Sequence, residues 1–414
     1  MIAKLRMVVL SLMVFLLGCE IHKSEGMSVI GDHVDFGEKD YEKIALEINR
    51  LGFSLMEKVE RDEENNAFIS PTSLYMLLSI IYNGADGETS EEMSKFLGVN
   101  SLSSEEVNKA NASLIHSLYK QTNKLSLHIA NSLWLKDSYT FREEFAERAK
   151  DYFNGEIKEV KMEDNKTVDE INRWVREATN KKIEEIVEGP LDPRLVTLLV
   201  NAVYFNGDWK YSFDERQTIN GIFYGERDER NDATYMRLER KLPYFETANF
   251  QSVSLPYGDG EMSMNIFLPK EGKTLNSFIS ELTLSNWKKW EESYVEEEGT
   301  LLFPKFKLEY ETILNEALID LGLKEPFNPS LADLSQMIQE DEDIYIDLIK
   351  QKTYIDVHEK GTEAAAVTSA QIRLTSAPAD PPFYMDVNRP FFFTINDEET
   401  GVILFMGAIH VAKQ

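Results

Sequence analysis

Six histidines, at 22, 33, 116, 128, 358 and 410, and a single cysteine, Cys19, are the side chains here best suited to metal or nucleophilic chemistry. Their spacing serves neither. His358-Glu359 begins like the zinc motif H-E-x-x-H, but Lys360 and Gly361 follow and no second histidine closes it. Gly272-Lys273-Thr274 ends like a phosphate loop, yet Phe267 stands where its first glycine belongs. There is no G-x-S-x-G elbow, no G-x-G-x-x-G and no EF-hand loop. His128 sits inside an alternating apolar run and reads as structural. Glu296–Glu298 and Glu340–Asp343 read as solvated acidic loops rather than a catalytic carboxylate pair. The residue types argue against catalysis by the chain's own groups, and against a resident metal or cofactor.

A different kind of chemistry is offered by Thr362 to Arg373, TEAAAVTSAQIR. Taken as a strand of period two, one face carries Thr362, Ala364, Ala366, Thr368, Ala370 and Ile372. That face has no charge and nothing large before Ile372, so it can enter a sheet interior at little steric or desolvation cost. The other face holds Glu363 and Arg373 and can stay wet. By itself the segment fits a surface helix capped by Thr362 equally well.

The whole chain bounds what such a segment can belong to. Its 414 residues allow one large domain or two to three smaller ones, and 43% hydrophobic content with 23 Phe and 17 Tyr supports a packed core. Acids outnumber bases 72 to 44, a net charge of −28, which argues against nucleic acid and anionic membranes as electrostatic partners. At the N-terminus, Lys4 and Arg6 precede an apolar run from Met7 to Leu17, too short to span a bilayer and flanked like an export signal. Leu16-Leu17-Gly18-Cys19 resembles a bacterial lipobox. The expectation is a signal peptide over 1–18, lipid on Cys19, and a polar tether over 19–36. Two or more acyl chains anchor a protein stably where one does not.

Apolar spacing predicts a helix over Tyr41–Val59 and another opened by Ser70-Pro71, running through Leu74–Ile81 to Asn83-Gly84. A third is predicted over Val168–Val187, with Ile171, Trp174, Val175, Ala178, Ile183 and Ile186 on one side. Strands are predicted over Leu125–Leu135, Leu195–Phe205, Ser252–Leu255, Met262–Leu268, Thr300–Leu308 and Tyr345–Val357, with a hairpin in Pro390–Val411 turned at Asp397–Gly401. No Pro/Gly-rich linker or internal repeat divides the chain. The reading is a single α+β domain over 37–414.

Four motifs in order then carry a family resemblance: Asn66-Ala67-Phe68-Ile69-Ser70-Pro71-Thr72-Ser73, Asn201 to Trp209 in LVNAVYFNGDW, the segment from Tyr354 through His358-Glu359-Lys360-Gly361-Thr362 to Ala366, and Asn388-Arg389-Pro390-Phe391 with Phe405-Met406-Gly407. The chain resembles the serpins from about residue 37 to its end. The resemblance implies several helices, a large central, mostly antiparallel sheet with smaller sheets, and an exposed reactive loop over about 359–388. It implies a monomer whose partners are target proteases, held as covalent acyl complexes after the cut loop inserts as a new strand. Membrane contact would come through the lipid on Cys19.

Residue by residue, the resemblance makes Glu359 a hinge carboxylate facing Lys305, Gly361 the hinge glycine that lets the chain turn, and Thr362, Glu363, Ala364, Ala365 and Ala366 the segment that enters first. Trp209 matches the tryptophan where insertion begins. Ser70, Ser73 and Asn201 match a polar cluster beneath the opening strands, and Gln351 replaces the histidine common there. The usual interval from Gly361 puts the cut at Thr375-Ser376, suited to elastase-like or subtilisin-like enzymes. Cutting after Arg373 would suit trypsin-like or papain-like ones, and after Leu374 chymotrypsin-like ones. From Thr362 to Thr375 a strand spans roughly 45 Å. The alternatives are a non-inhibitory binding protein of the same fold and a surface hydrolase or solute-binding lipoprotein.

Overall fold

The computed structural model describes residues 30–119, 124–226, 229–362 and 381–413. The signal peptide, Cys19, Glu363, Ala364, Ala365, Ala366, Arg373, Leu374, Thr375 and Ser376 lie outside them. The described chain already packs on the body at the tether's end: Ile30 is buried and the Gly31 amide donates to the Asp151 carbonyl at 3.0 Å.

The first two helices form where the apolar spacing places them. A 3-10 turn, Asp40–Lys43, leads into the helix Ala45–Lys58. The helix Pro71–Tyr82 is buried along its whole length, with Pro71 at its first position and Ser70 Oγ accepting from the Ser73 amide. A capping box between Ser103 and Glu106 opens the helix Ser104–Leu118.

Strands, numbered in chain order, make two sheets. One runs β10 (Phe306–Ile313), β11 (Leu348–His358), β12 (Gly361–Thr362), β4 (Thr197–Asp208), β2 (Leu125–Lys136), β3 (Glu156–Val160). The other runs β1 (Ala67–Ile69), β15 (Ile403–Ile409), β14 (Phe391–Asp397), β8 (Met262–Pro269), β7 (Phe250–Tyr257), β6 (Arg230–Glu246), β9 (Val295–Pro304), β13 (Phe383–Asp386), with β5 (Ile219–Tyr224) also on β6. Pairing is mostly antiparallel; the parallel junctions are β11–β4, β2–β3 and β13–β9. The core lies between the sheets, where Phe205 of β4 meets Phe405 of β15 and Tyr257 of β7. The architecture is α+β.

Three expectations about secondary structure need correction. The helix predicted to Val187 ends at Ala178, because Asn180 and Lys181 take left-handed φ of 50° and 64°. Ile183 and Ile186 are buried all the same: the chain beyond the helix lies across the outer face of β4, held by Asn172 Oδ1 accepting from the Ile186 and Val187 amides. Thr300–Leu308 is two strands, β9 and β10, broken at Pro304-Lys305. Glu296–Glu298 lie on β9 as an exposed strand end rather than in a loop.

Candidate functional site

β11 and β4 run side by side in parallel, paired from Leu348↔Leu198 to Tyr354↔Tyr204. Above Tyr354 they part, and β12 fills the opening. Gly361 pairs with His358 and Asp208, and Thr362 with Val357 and Gly207. β12 is antiparallel to both neighbours. The seam is therefore closed along most of its length and holds a two-residue third strand at its head.

Sequence motifs far apart converge at that head. The Glu359-Lys360 turn folds β12 back on β11. Trp209 Nε1 donates to the His358 carbonyl at 2.9 Å, the Trp209 amide to the Lys360 carbonyl at 2.9 Å, and the Phe213 amide to the Glu359 carbonyl at 2.8 Å. Glu359 meets Lys305 Nζ at 3.0 Å and accepts from Thr218 Oγ1 at 2.8 Å. Burial alone would raise the Glu359 pKa. Hydrogen bonds from Lys305, its own backbone amide and Thr218 outweigh that and hold the carboxyl below the ordinary glutamate value.

Gly361 is required for a reason other than turning. Its φ is not left-handed. A Cβ there would sit 2.1 Å from the Gly207 carbonyl oxygen and 2.7 Å from Asp208 Cα. Only a residue without a side chain lets the two backbones approach this closely. Thr362 points inward and is fully buried, with Oγ1 2.7 Å from the Tyr257 hydroxyl. Trp209 stacks on the same Tyr257 ring at 4.3 Å.

Midway down the seam, Ser70, Ser73, Asn201 and Gln351 form one buried cluster. Gln351 Oε1 accepts from the Ser70 amide at 3.0 Å, while Nε2 donates to the Ser70 carbonyl at 3.1 Å and to Asn201 Oδ1 at 2.6 Å. Asn201 Nδ2 donates to Ser73 Oγ and to Asn131 Oδ1. Ser70 Oγ donates to the Leu404 carbonyl of β15 at 2.7 Å. The Gln351–Asn201 bond thus crosses the seam from β11 to β4, and the cluster ties both strands to the capping turn of the Pro71–Tyr82 helix.

Tyr257, Thr218 and Asn131 belong to this site and were not foreseen, because nothing in their local sequence marks them. His128 Nε2 lies 2.7 Å from Ser126 Oγ, the spacing of a nucleophile and its base. The same nitrogen accepts from Asn180 Nδ2 at 3.1 Å, so the lone pair a base would use is already engaged. Among the described residues, no group of three or more His, Cys, Asp or Glu is placed to hold a metal ion, and no helix is long and apolar enough to cross a membrane.

The family model described as serpin (serine protease inhibitor) matches residues 46–411. An uncharacterized serpin-like protein of Methanosarcina acetivorans is 34% identical over 376 residues, 88% of this chain and 85% of its own length. The crystal structure of tengpin, a thermophilic serpin in the native state, superposes with a TM-score of 0.82 at 31% identity, covering 92% of this chain and 96% of that one. A thyroxine-binding globulin complex with thyroxine superposes at 0.78 with 23% identity, covering 91% and 100%, a likeness that speaks to the fold alone.

Proposed function

The chain belongs to the serpin family, and on that premise we propose that it is a suicide-substrate inhibitor of serine, and also cysteine, proteases. The observation that carries this reading is β12, which lies between β11 and β4 at the head of an otherwise closed seam, with a small uncharged residue, Thr362, seated inside. The residues that follow on the same face, Ala364, Ala366 and Thr368, are small and uncharged as well. A charged or bulky group there would make entry costly and leave time for hydrolysis.

In the proposed reaction the protease nucleophile attacks the Thr375 carbonyl carbon. An ester or thioester forms, the Thr375-Ser376 amide breaks, and the Ser376 nitrogen takes the proton and leaves. Insertion of the freed loop then carries the acylated protease away before water completes the cycle. Arg373 and Leu374 are the alternative cut positions. The protein acts as a monomer, exported and held at a bacterial cell envelope by lipid on Cys19, a reading supported by Leu16-Leu17-Gly18-Cys19 and the lone cysteine.

Incubation with a panel of elastase-like, subtilisin-like, trypsin-like and papain-like proteases tests this by gel and mass spectrometry. An SDS-resistant complex and a cut at 373–376 are expected. Cleaved protein with no complex across the panel would leave the second reading, a binding protein of the same fold, which the thyroxine-carrying relative exemplifies.

A further inference from the structure

We propose that His358 is an acid-sensitive clasp on the hinge: protonation at Nδ1 removes the acceptor that holds the Lys360 amide and frees Gly361–Thr362 from the head of the seam.

The geometry is local. His358 ends β11, and the chain reverses through Glu359-Lys360 into β12. The Lys360 amide donates to His358 Nδ1 at 3.3 Å. A backbone N–H can only donate, so the nitrogen facing it must carry its lone pair; a proton there turns attraction into repulsion between two donors. The same turn is fixed on the outside by Trp209, which binds the His358 and Lys360 carbonyls. Loosening the turn therefore acts on Gly361 and Thr362, the two described residues by which β12 is paired to β4.

Among the described residues, the charged groups that act on the ring include Asp356 on its own strand, Glu359 and Lys360 in the turn, Lys305 at the β9–β10 junction, and Asp208 at the end of β4. Burial of the imidazole holds its pKa below the ordinary histidine value. Asp356 and Glu359 oppose that effect, and Lys305 and Lys360 reinforce it. A histidine with a depressed folded pKa contributes stability that is full above its ordinary value of 6.5 and lost as pH falls through the folded one. The clasp is thus closed at neutral pH and opens in acid. For an inhibitor as proposed above, acid would withdraw the preformed first step of insertion and shift the outcome toward hydrolysis.

Amide hydrogen exchange of the intact protein, read by mass spectrometry over 357–362 at about pH 7.5 and about pH 5 and corrected for intrinsic rates, tests the clasp without any protease. The outcome is independent of whether the chain inhibits. Wild type should exchange this segment about tenfold faster in acid, the scale of a local opening made easier by one step of loosened hydrogen bonding. His358→Asn, whose Oδ1 can accept from the amide two residues on, should stay protected at both pH values. His358→Leu, with no acceptor, should be unprotected at both. Equal protection of wild type at the two pH values, an acid response retained by His358→Asn, or a protected His358→Leu would each overturn the proposal.

Discussion

The Tyr257 hydroxyl and Thr362 Oγ1 lie 2.7 Å apart inside the body, although 105 residues separate them in sequence. The pair fastens the first inserted residue of the hinge to β7 of the opposite sheet. Desolvation pushes the Tyr257 phenol far above its ordinary pKa, so it is a neutral partner at any working pH. Tyr257→Phe would strand the buried Thr362 hydroxyl and should lower stability by about 1 kcal/mol, read by chemical denaturation. An unchanged midpoint would mean the contact contributes nothing.

Thr362→Arg places an unpaired charge at a fully buried position. The expected outcome is a protein still cut by its target but yielding no SDS-resistant complex. Persistence of the complex at wild-type stoichiometry would remove the argument from small hinge residues.

Gly361→Ala sets a Cβ against the Gly207 carbonyl at a distance real contacts do not reach. Because the obstacle is backbone on β4, β12 should leave the seam rather than adjust within it. Exchange at Gly207–Trp209 and Thr362 should rise while the 198–204 ladder stays protected. Protection retained at Thr362 counts against the close approach.

Glu359 stabilises the hinge through its ionised form. Its folded pKa lies below the ordinary 4.5, so the contribution is full above that value and lost as pH falls through the folded one. Glu359→Gln should narrow the gap to wild type below about pH 4.5 and widen it above. Melting temperature against pH is the measurement, and parallel curves would show that the Lys305 pair does not couple to folding.

Gln351 fills the middle of the seam with a group that cannot titrate. Gln351→His should therefore make the seam acid-sensitive, losing about 1–2 kcal/mol relative to wild type as pH falls below about 6.5, since a buried imidazole resists charging. Denaturation of both proteins at about pH 7.5 and about pH 5 measures the difference; an equal response would place the pH sensitivity elsewhere.

Much of the fold is legible in the sequence. The alternation in LSLHIANSLWL gave β2, Ser70-Pro71 marked the start of the buried helix, and the interval from Asn201 to Trp209 ran from the middle of the seam to its head, along β4 and one residue past its end. What escaped has physical causes. β6, RNDATYMRLERKLPYFE, is rich in charge because alternate residues face solvent, which masks its length of 17 residues. The end of the Asn165–Ala178 helix depends on two left-handed residues that sequence periodicity does not report. Thr218 and Tyr257 reach the hinge from other elements, and only the tertiary fold brings them there.

The register of β12 reads like a ruler. Thr362 lies opposite Val357 on β11 and Gly207 on β4, and each further residue would step both partners back by one. Counted along that scale, Thr368 arrives between Gln351 and Asn201, the two residues whose hydrogen bond now spans the seam. A strand lengthened that far would break that bond, and the residue then at that position has a hydroxyl, able to donate to one amide and accept from the other. The cluster that keeps the seam shut is thus matched to the group that would replace its missing partner once the seam is open.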